Sequence, residues 1–391
     1  MNILQVATLN RPVKQDLGYG PIETVIYNID KGLNNLGHRS IVACSGDSCV
    51  TGEQYTTIDE SFSEYWSQDN AGQQENNRQH LLRSLERATR GDIDIIHMHD
   101  SVMVEYIFEG VTRSPVPIVM TLHVPAEEKG SFNRWNQSLG SSSQVYFVPI
   151  SEYQKKQHDG LVNTQNVIHH GIDVEDYPFM NSASKGSYLF TIGRITEDKG
   201  QDKAIEVAKK SGSRLVIAGN VQNKPKDRAY FKALQSSIDL SVEAGTYPVT
   251  EGYYRDVMKP ILDSGQQIIY IGEINSAQKR MWYGHAHATL FPIQWGEPFG
   301  LVLIESMACG TPVLALRKGS VPEIIVHGKT GFVTNSAEDM AESVKALSRI
   351  DPHDCRRHVK DHFSIASMAG KYSELYRRII AERTSCPKTS Q

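Results

Sequence analysis

Two carboxylates eight residues apart, Glu297 and Glu305, bracket the stretch GEPFGLVLIE at residues 296–305. A short apolar run, ATLFP, ends at Pro292, and an apolar helical pattern begins at Leu301. Pro298 fixes the chain just before that helix, and Gly300 removes a side chain at its mouth. The amides of Phe299, Gly300 and Leu301 are then left to point at an anion, aided by the helix dipole. Glu305 is too far inside the helix to cap it, yet could reach a sugar hydroxyl of a ligand whose phosphate lies at the mouth. Glu297 precedes the mouth and would face the other end of that ligand. Taken singly, Glu297 is better explained as a solvated loop charge and Glu305 as a helix-surface residue. The apolar neighbours Leu301, Ile304 and Ala308 argue for partial burial of Glu305, and a buried carboxylate needs a partner.

A second stretch, TIGRITEDKG at 191–200, leaves a strand at Gly193 and then places Arg194 and Lys199 in one strand-to-helix loop. A guanidinium fork and a mobile ammonium suit a diphosphate, although Glu197 and Asp198 make ordinary surface charge an equal reading of the loop alone. In QDLGYGPIETVI, Gly18 and Gly20 permit close approach of backbone to ligand. A dinucleotide fingerprint would need a third glycine where Glu23 stands, which weighs against a nicotinamide enzyme. His123 ends the run TLH; a lone strand-end histidine is more often structural than catalytic. IIHMHD offers His97 and His99 on one strand face, with Asp100 behind them, but no third and fourth metal ligands are evident. Asp92 and Asp94 enter a strand and read as solvated charge. HGKTG at 327–331 lacks the glycine of a phosphate loop, since Glu323 occupies that place. No G-x-S-x-G elbow or Ser-His-Asp order is present, so hydrolase chemistry lacks a nucleophile.

These residues must be positioned by strand ends. Two series of short apolar runs alternate with helical patterns. The first comprises NILQVA, RSIVAC, DIDIIHM, PIVMTLH, QVYFVPI and NVIHH, with helices expected near Ile22–Leu36 and Arg78–Arg90. The second comprises YLFTIG, RLVIAG, QIIYIG, ATLFP, TPVLAL and GFVT. Its expected helices are Asp202–Lys210, Ala277–His285, Leu301–Cys309 and Ala337–Leu347. Such alternation predicts an α/β protein of two Rossmann-like domains with parallel sheets facing across a cleft. The expected bounds are 1–180 and 181–364, with a closing helix over about 365–391 packing back on the first domain. Two polar insertions, Gly52–Asn77 and Asn220–Ser264, interrupt the series. Ligands of such sheets bind beyond the carboxyl ends of the strands.

The 391 residues fit two domains, and a net charge of −4 gives no electrostatic case for a general nucleic-acid binder. Five scattered cysteines form no C-x-x-C, so neither a disulfide frame nor a zinc ribbon is expected. The opening MNILQVATLN is expected to be a strand and not a signal peptide, and no apolar run reaches the length of a membrane span. A cytoplasmic protein is the expectation, and membrane association has no support in the sequence.

Together and in this order, the motifs resemble the retaining GT-B glycosyltransferases of family four. The resemblance covers nearly the whole chain and is most specific over GEPFGLVLIESMACGTPVLALRKGSVPEIIVHGKTGFV. It implies a role for each matching residue. Glu305 would hold the ribose hydroxyls, and Glu297 the donor sugar near its C3 and C4 hydroxyls. Pro298, Phe299, Gly300 and Leu301 form the segment that holds phosphate and sugar. Arg194 and Lys199 would neutralise the diphosphate leaving group. His123 would lie near the reacting carbon, Gly272, Glu273 and Ile274 against the base, and Gly20 near the donor phosphate. The family's second glycine is replaced here by Pro21, which removes one backbone donor. The implied reaction is metal-independent transfer of a hexose from a nucleotide sugar, UDP-glucose being favoured, to a glycan, glycolipid or small-molecule hydroxyl. No cofactor is expected. Front-face attack is favoured, because no carboxylate in the matching first-domain motifs could serve as nucleophile. The loop 127–144, with Phe132 and Trp135, is the expected acceptor side. A sugar-nucleotide epimerase, a phosphorylase or a non-catalytic sugar-nucleotide scaffold are the alternatives.

Overall fold

The computed structural model describes residues 1–17, 20–62, 70–99, 111, 113–124, 144–160, 162 and 164–385. Gly18, Asp100 and residues 127–143 of the expected acceptor loop, with Phe132 and Trp135, lie outside the described residues.

The apolar runs of the first series form β1 (Asn2–Val6), β2 (Arg39–Ser45), β3 (Glu53–Ile58), β4 (Ile95–Met98), β5 (Ile118–Leu122) and β6 (Val145–Pro149). They pair in parallel in the order β3-β2-β1-β4-β5-β6. Both faces are covered, which explains runs of apolar residues in place of alternation. Leu4, Ile41, Ile96, Met120 and Phe147 pack in one cluster with Leu81 and Leu85 of the Asn70–Ala88 helix. On the other face Val42 and Cys44 meet Ile26 of the Pro21–Asn35 helix. Pro21 takes the first helical position, where its missing N–H would have had no intrahelical acceptor.

The chain divides into two units, Met1–Ile172 with the segment from Ser364 onward, and Asp173–Phe363. The first division lies eight residues before 180 because the connecting segment packs within the second unit. There the Tyr177 hydroxyl donates to Glu305, and the Tyr177 carbonyl accepts from Arg356 Nη1 at 2.7 Å. The Ile365–Ser385 helix belongs to the first unit. It crosses the Pro21–Asn35 helix where Gly32 lets it in: a Cβ there would stand 2.5 Å from the Ala369 methyl. Its Tyr376 hydroxyl meets His97 Nδ1 and its Tyr372 hydroxyl meets Thr121 Oγ1, each at 2.7 Å.

In the second unit β7 (Tyr188–Ile192), β8 (Arg214–Ala218), β9 (Leu240–Ser241), β10 (Ile268–Tyr270), β11 (Ala288–Phe291), β12 (Val313–Leu316) and β13 (Gly331–Thr334) form one parallel sheet. Its order is β13-β12-β11-β7-β8-β10-β9. The insertion 220–264 contributes β9 at the edge of this sheet and the Pro225–Gln235 helix.

Three expectations need correction. NVIHH forms no strand: after one bridge from Thr164 to Phe147, residues 165–168 bond β6 only through the amides of Gln165 and Ile168. The first polar insertion contains an unexpected strand, β3, whose Tyr55 packs against the core and whose Thr57 hydroxyl donates to the Cys44 carbonyl. The helix expected at Arg78–Arg90 begins at Asn70, its first two turns being too polar to show an apolar period.

Candidate active site

Each sheet has one point where its strand order runs away in opposite directions from two central neighbours, the second sheet turning back again only at its β10-β9 edge, and the crevice at a central reversal is where open α/β sheets bind ligands. In the second unit the reversal falls between β7 and β11. The loops leaving those two strands are TIGRITEDKG and the one containing GEPFG.

Backbone contacts fasten the two loops together. The Gln294 amide donates to the Asp198 carbonyl at 2.8 Å. Gly200 is left-handed, with φ 70°, and a Cβ on it would fall 2.2 Å from the Pro292 carbonyl oxygen. Lys199 is thus followed by glycine because only a bare backbone fits against the end of β11. Lys199 Nζ stands 2.9 Å from Glu297 Oε2, with side chains 20% and 14% exposed, and 5.3 Å from the centre of the Trp295 ring. Arg194 is less committed. Its Nη1 reaches Gln222 Oε1 only at 3.5 Å, its Nε is enclosed without a partner, and its carbonyl accepts from Gln201.

The Leu301–Ala308 helix opens at Gly300, whose φ is 85°. Phe299 is buried against Phe363, and its carbonyl accepts from Ser320 Oγ at 2.8 Å. Pro298 is buried beside it, and Leu301 is half-buried. None of the backbone hydrogen bonds around the loop uses the amides of Gly300 or Leu301; these are first-turn donors that a helix cannot satisfy itself. The loop is braced from behind. The Ser320 amide donates to the Glu297 carbonyl at 3.0 Å, and Gly319, with φ 55°, lies so close that a Cβ would fall 2.2 Å from that oxygen.

Glu305 is 3% exposed and does have the partners its burial demands. Lys279 Nζ donates to Oε1 at 2.6 Å, Tyr177 OH to Oε1 at 3.3 Å and Tyr283 OH to Oε2 at 3.0 Å. Burial, reinforced by the Glu305 charge, pushes both phenols well above the usual tyrosine range, so they remain donors. A carboxylate has about four acceptor positions, so one position on Oε2 is left over. Gly272, with φ 71°, sits two strands from β7, and its carbonyl accepts from Gly219 at the end of β8. Ile274 is buried and Glu273 exposed.

In the first unit the reversal lies between β1 and β4. Gly20 caps the Pro21–Asn35 helix near the Glu23 carboxylate, which accepts from Thr8 Oγ1 at 2.6 Å. His123, at the end of β5, belongs to a row of imidazoles. Its Nε2 meets His99 Nδ1 at 3.1 Å, and its ring stacks on His170. His97 and His99 do share a side, with ring centres 4.1 Å apart, but His97 is held by Tyr376 and Thr121. Among the described residues no group of three or more His, Cys, Asp or Glu side chains is arranged as a metal site. Asp92 is paired with Arg87 and Arg39, and Asp94 accepts from the Asn2 amide.

The structure therefore gathers Arg194, Lys199, Glu297, Gly300 and Glu305 around one crevice, and it holds Gly20 and His123 in the other unit. Sequence reasoning missed Lys279, Tyr177 and Tyr283 around Glu305, the Gly319–Ser320 brace, Trp295 beneath Lys199, and His170.

Two family profiles match the chain in tandem, Glycosyltransferase Family 4 over residues 20–176 and Glycosyl transferases group 1 over 257–360. The chain belongs to the family-four glycosyltransferases. Among curated relatives of this chain is the phosphatidyl-myo-inositol mannosyltransferase of Propionibacterium freudenreichii, 25% identical over 280 residues, covering 68% of this chain and 64% of that protein. The D-inositol 3-phosphate glycosyltransferase of Mycobacteroides abscessus is 25% identical over 338 residues, covering 77% and 70%. The chain thus spans just under two thirds of the first of these relatives. Among solved structures, sucrose-phosphate synthase from Thermosynechococcus elongatus superimposes with a TM-score of 0.74 at 15% identity, over 98% of this chain and all of that one. Anabaena Alr3699/HepE in complex with UDP-glucose gives 0.69 at 15% identity, over 97% and 100%. The fold is GT-B, with two parallel-sheet Rossmann-like units. No helix among the described residues is long and apolar enough to cross a membrane.

Proposed function

We propose that this glycosyltransferase moves a hexose from a nucleotide sugar to a hydroxyl of a glycan, glycolipid or small polyol, with retention at the anomeric carbon. The observation that carries the reading is the crevice between β7 and β11. There a lysine and an arginine share a loop fastened to the mouth of the Leu301–Ala308 helix. A nucleoside diphosphate leaving group needs its developing charge stabilised, and cations with helix-mouth amides supply that stabilisation. Arg194, Lys199 and the amides of Gly300 and Leu301 take this role. Glu305 offers its remaining acceptor position to a ribose hydroxyl, and Glu297 turns from Lys199 toward the sugar hydroxyls. Gly272, Glu273 and Ile274 border the base. The Anabaena neighbour was solved with UDP-glucose, which supports UDP as the nucleotide and glucose as the first sugar to try. The acceptor hydroxyl attacks from the side the leaving group departs, and the departing phosphate oxygen takes its proton. With two cations assigned to the diphosphate, the reaction requires no added metal.

The test is a donor panel by calorimetry, followed by transfer assays with and without acceptor and with chelator. Lys199→Ala should lower turnover at least about 100-fold, the scale of losing one preorganised charge partner, while nucleoside binding changes little. Full activity in that variant overturns the leaving-group role. Sugar conversion without acceptor would show an epimerase, and a requirement for inorganic phosphate a phosphorylase.

A further inference from the structure

The row of imidazoles in the first unit contains a positioning residue. We propose that His99 donates its Nδ1–H to His123 Nε2 and thereby holds His123 in the Nδ1–H tautomer. The catalytic meaning of this rests on the proposed function; the tautomer does not.

His99 leaves β4 and His123 leaves the adjacent β5, with Met98 and Met120 in register one and three residues before them. At 3.1 Å between His99 Nδ1 and His123 Nε2, one nitrogen must donate and the other accept. The second nitrogen of His99, Nε2, is buried and meets no partner. A proton on Nε2 would therefore be an interior N–H with no acceptor. A proton on Nδ1 leaves only a lone pair unmatched, and orphaned donors are the rarer defect in folded proteins. An imidazolium is excluded as well. Burial, together with the neighbouring His97 and His170, holds the His99 pKa far below its usual value. His99 thus carries its proton on Nδ1, and His123 Nε2 is occupied as an acceptor.

The ring planes are fixed around this bond. Tyr376 OH and Thr121 Oγ1 hold the two nitrogens of His97 at 2.7 Å each, and the His97 ring lies 4.1 Å from that of His99. On the far side His170 stacks on His123 at 5.3 Å with 24° between planes. A His123 ring in this tautomer offers Nδ1 as a hydrogen-bond donor and cannot take up a proton there, so it does not act as a base. That polarity suits a sugar hydroxyl oxygen beside a reaction in which the leaving phosphate takes the proton.

The decisive measurement is a multiple-bond proton–nitrogen correlation spectrum of the ligand-free, histidine-labelled protein, with His123 assigned by its loss in His123→Gln. The expected pattern is a protonated Nδ1 and a bare Nε2. A protonated Nε2, or averaged signals, overturns the proposal without any variant of His99. In His99→Leu the His123 signals should move toward the tautomer mixture of free imidazole. In His99→Gln, whose amide can still donate, they should stay. Once a donor is found, kcat should fall about tenfold in His99→Leu at unchanged donor KM and recover in His99→Gln. Equal losses in both variants overturn the hydrogen-bond account. If the tautomer is as stated but no donor sugar is ever transferred, the functional reading fails and the His99 assignment stands.

Discussion

Replacing Glu297 by glutamine should tighten the binding of a nucleoside diphosphate while abolishing most transfer. Before substrate arrives, Lys199 is paired with Glu297 at 2.9 Å. An incoming diphosphate must draw the ammonium away from that carboxylate and also bear the carboxylate's repulsion. At an effective dielectric of about 20, two unit charges at this separation interact by about 6 kcal/mol before solvation is counted. Both side chains keep some contact with water, and exposed pairs yield a small net fraction of such figures. A net competition of about 1–2 kcal/mol, or about 5–30-fold in Kd, is the expected gain for UDP in Glu297→Gln. The glutamine amide preserves the shape of the site, so the loop should remain in place. Titration calorimetry at low and moderate salt measures the effect, which should shrink as salt rises. UDP-glucose should gain less than UDP, because the contact between Glu297 and the sugar is weakened at the same time. The gain should also be smaller in a Lys199→Ala background. Unchanged or weaker UDP binding by folded Glu297→Gln protein would refute the idea that the ion pair competes with the leaving group.

Two further outcomes concern the second unit's frame. Among the described residues Lys185 Nζ is bound only by neutral acceptors, the carbonyls of Gly284 and Cys309 and the Thr311 hydroxyl, and burial lowers its pKa from 10.5 to about 8. The folded state thus gives up this proton earlier than the unfolded chain. The penalty for the charged form is complete below pH 8 and is relieved as pH rises to 10.5, amounting to about 3 kcal/mol. Denaturant unfolding of wild type minus Lys185→Met should show this rise, and a flat difference would refute it. Gly319→Ala should destabilise by about 2–4 kcal/mol, from a left-handed alanine and the forced shift of the Glu297 backbone. It should also lose donor binding. Wild-type stability and activity together would show that the brace is dispensable.

The loops carrying Glu297, Gly300, Arg194 and Lys199 were legible because their chemistry is local. Proline, glycine and charge at fixed spacing mark a strand-to-helix turn locally, whereas a shared role for the two loops could be read only from their order together. What lay beyond reading was the set of partners brought in by pairing of distant segments. Glu305 draws its donors from Tyr177, Lys279 and Tyr283, two of them on the Ser276–His285 helix and one before β7. Nothing in the spacing of Tyr177 announces a contact 128 residues away. The same holds for Gly319 behind Glu297 and for Tyr372 and Tyr376 behind Thr121 and His97. NVIHH was misread because five residues of mixed character give too short a period to separate a strand from an extended segment beside one. The β3 strand was hidden for the opposite reason, as an edge strand with a largely polar surface.

The return of the Ile365–Ser385 helix to the first unit has a consequence for how the chain is made. The second unit is one uninterrupted stretch, whereas the first lacks its last layer until the Ile365–Ser385 helix has been made. Thr121 and His97 then wait through the whole of the intervening domain for the two tyrosine hydroxyls that tie them down. Domains usually mature in the order they are translated; in this chain the part begun first is the part finished last.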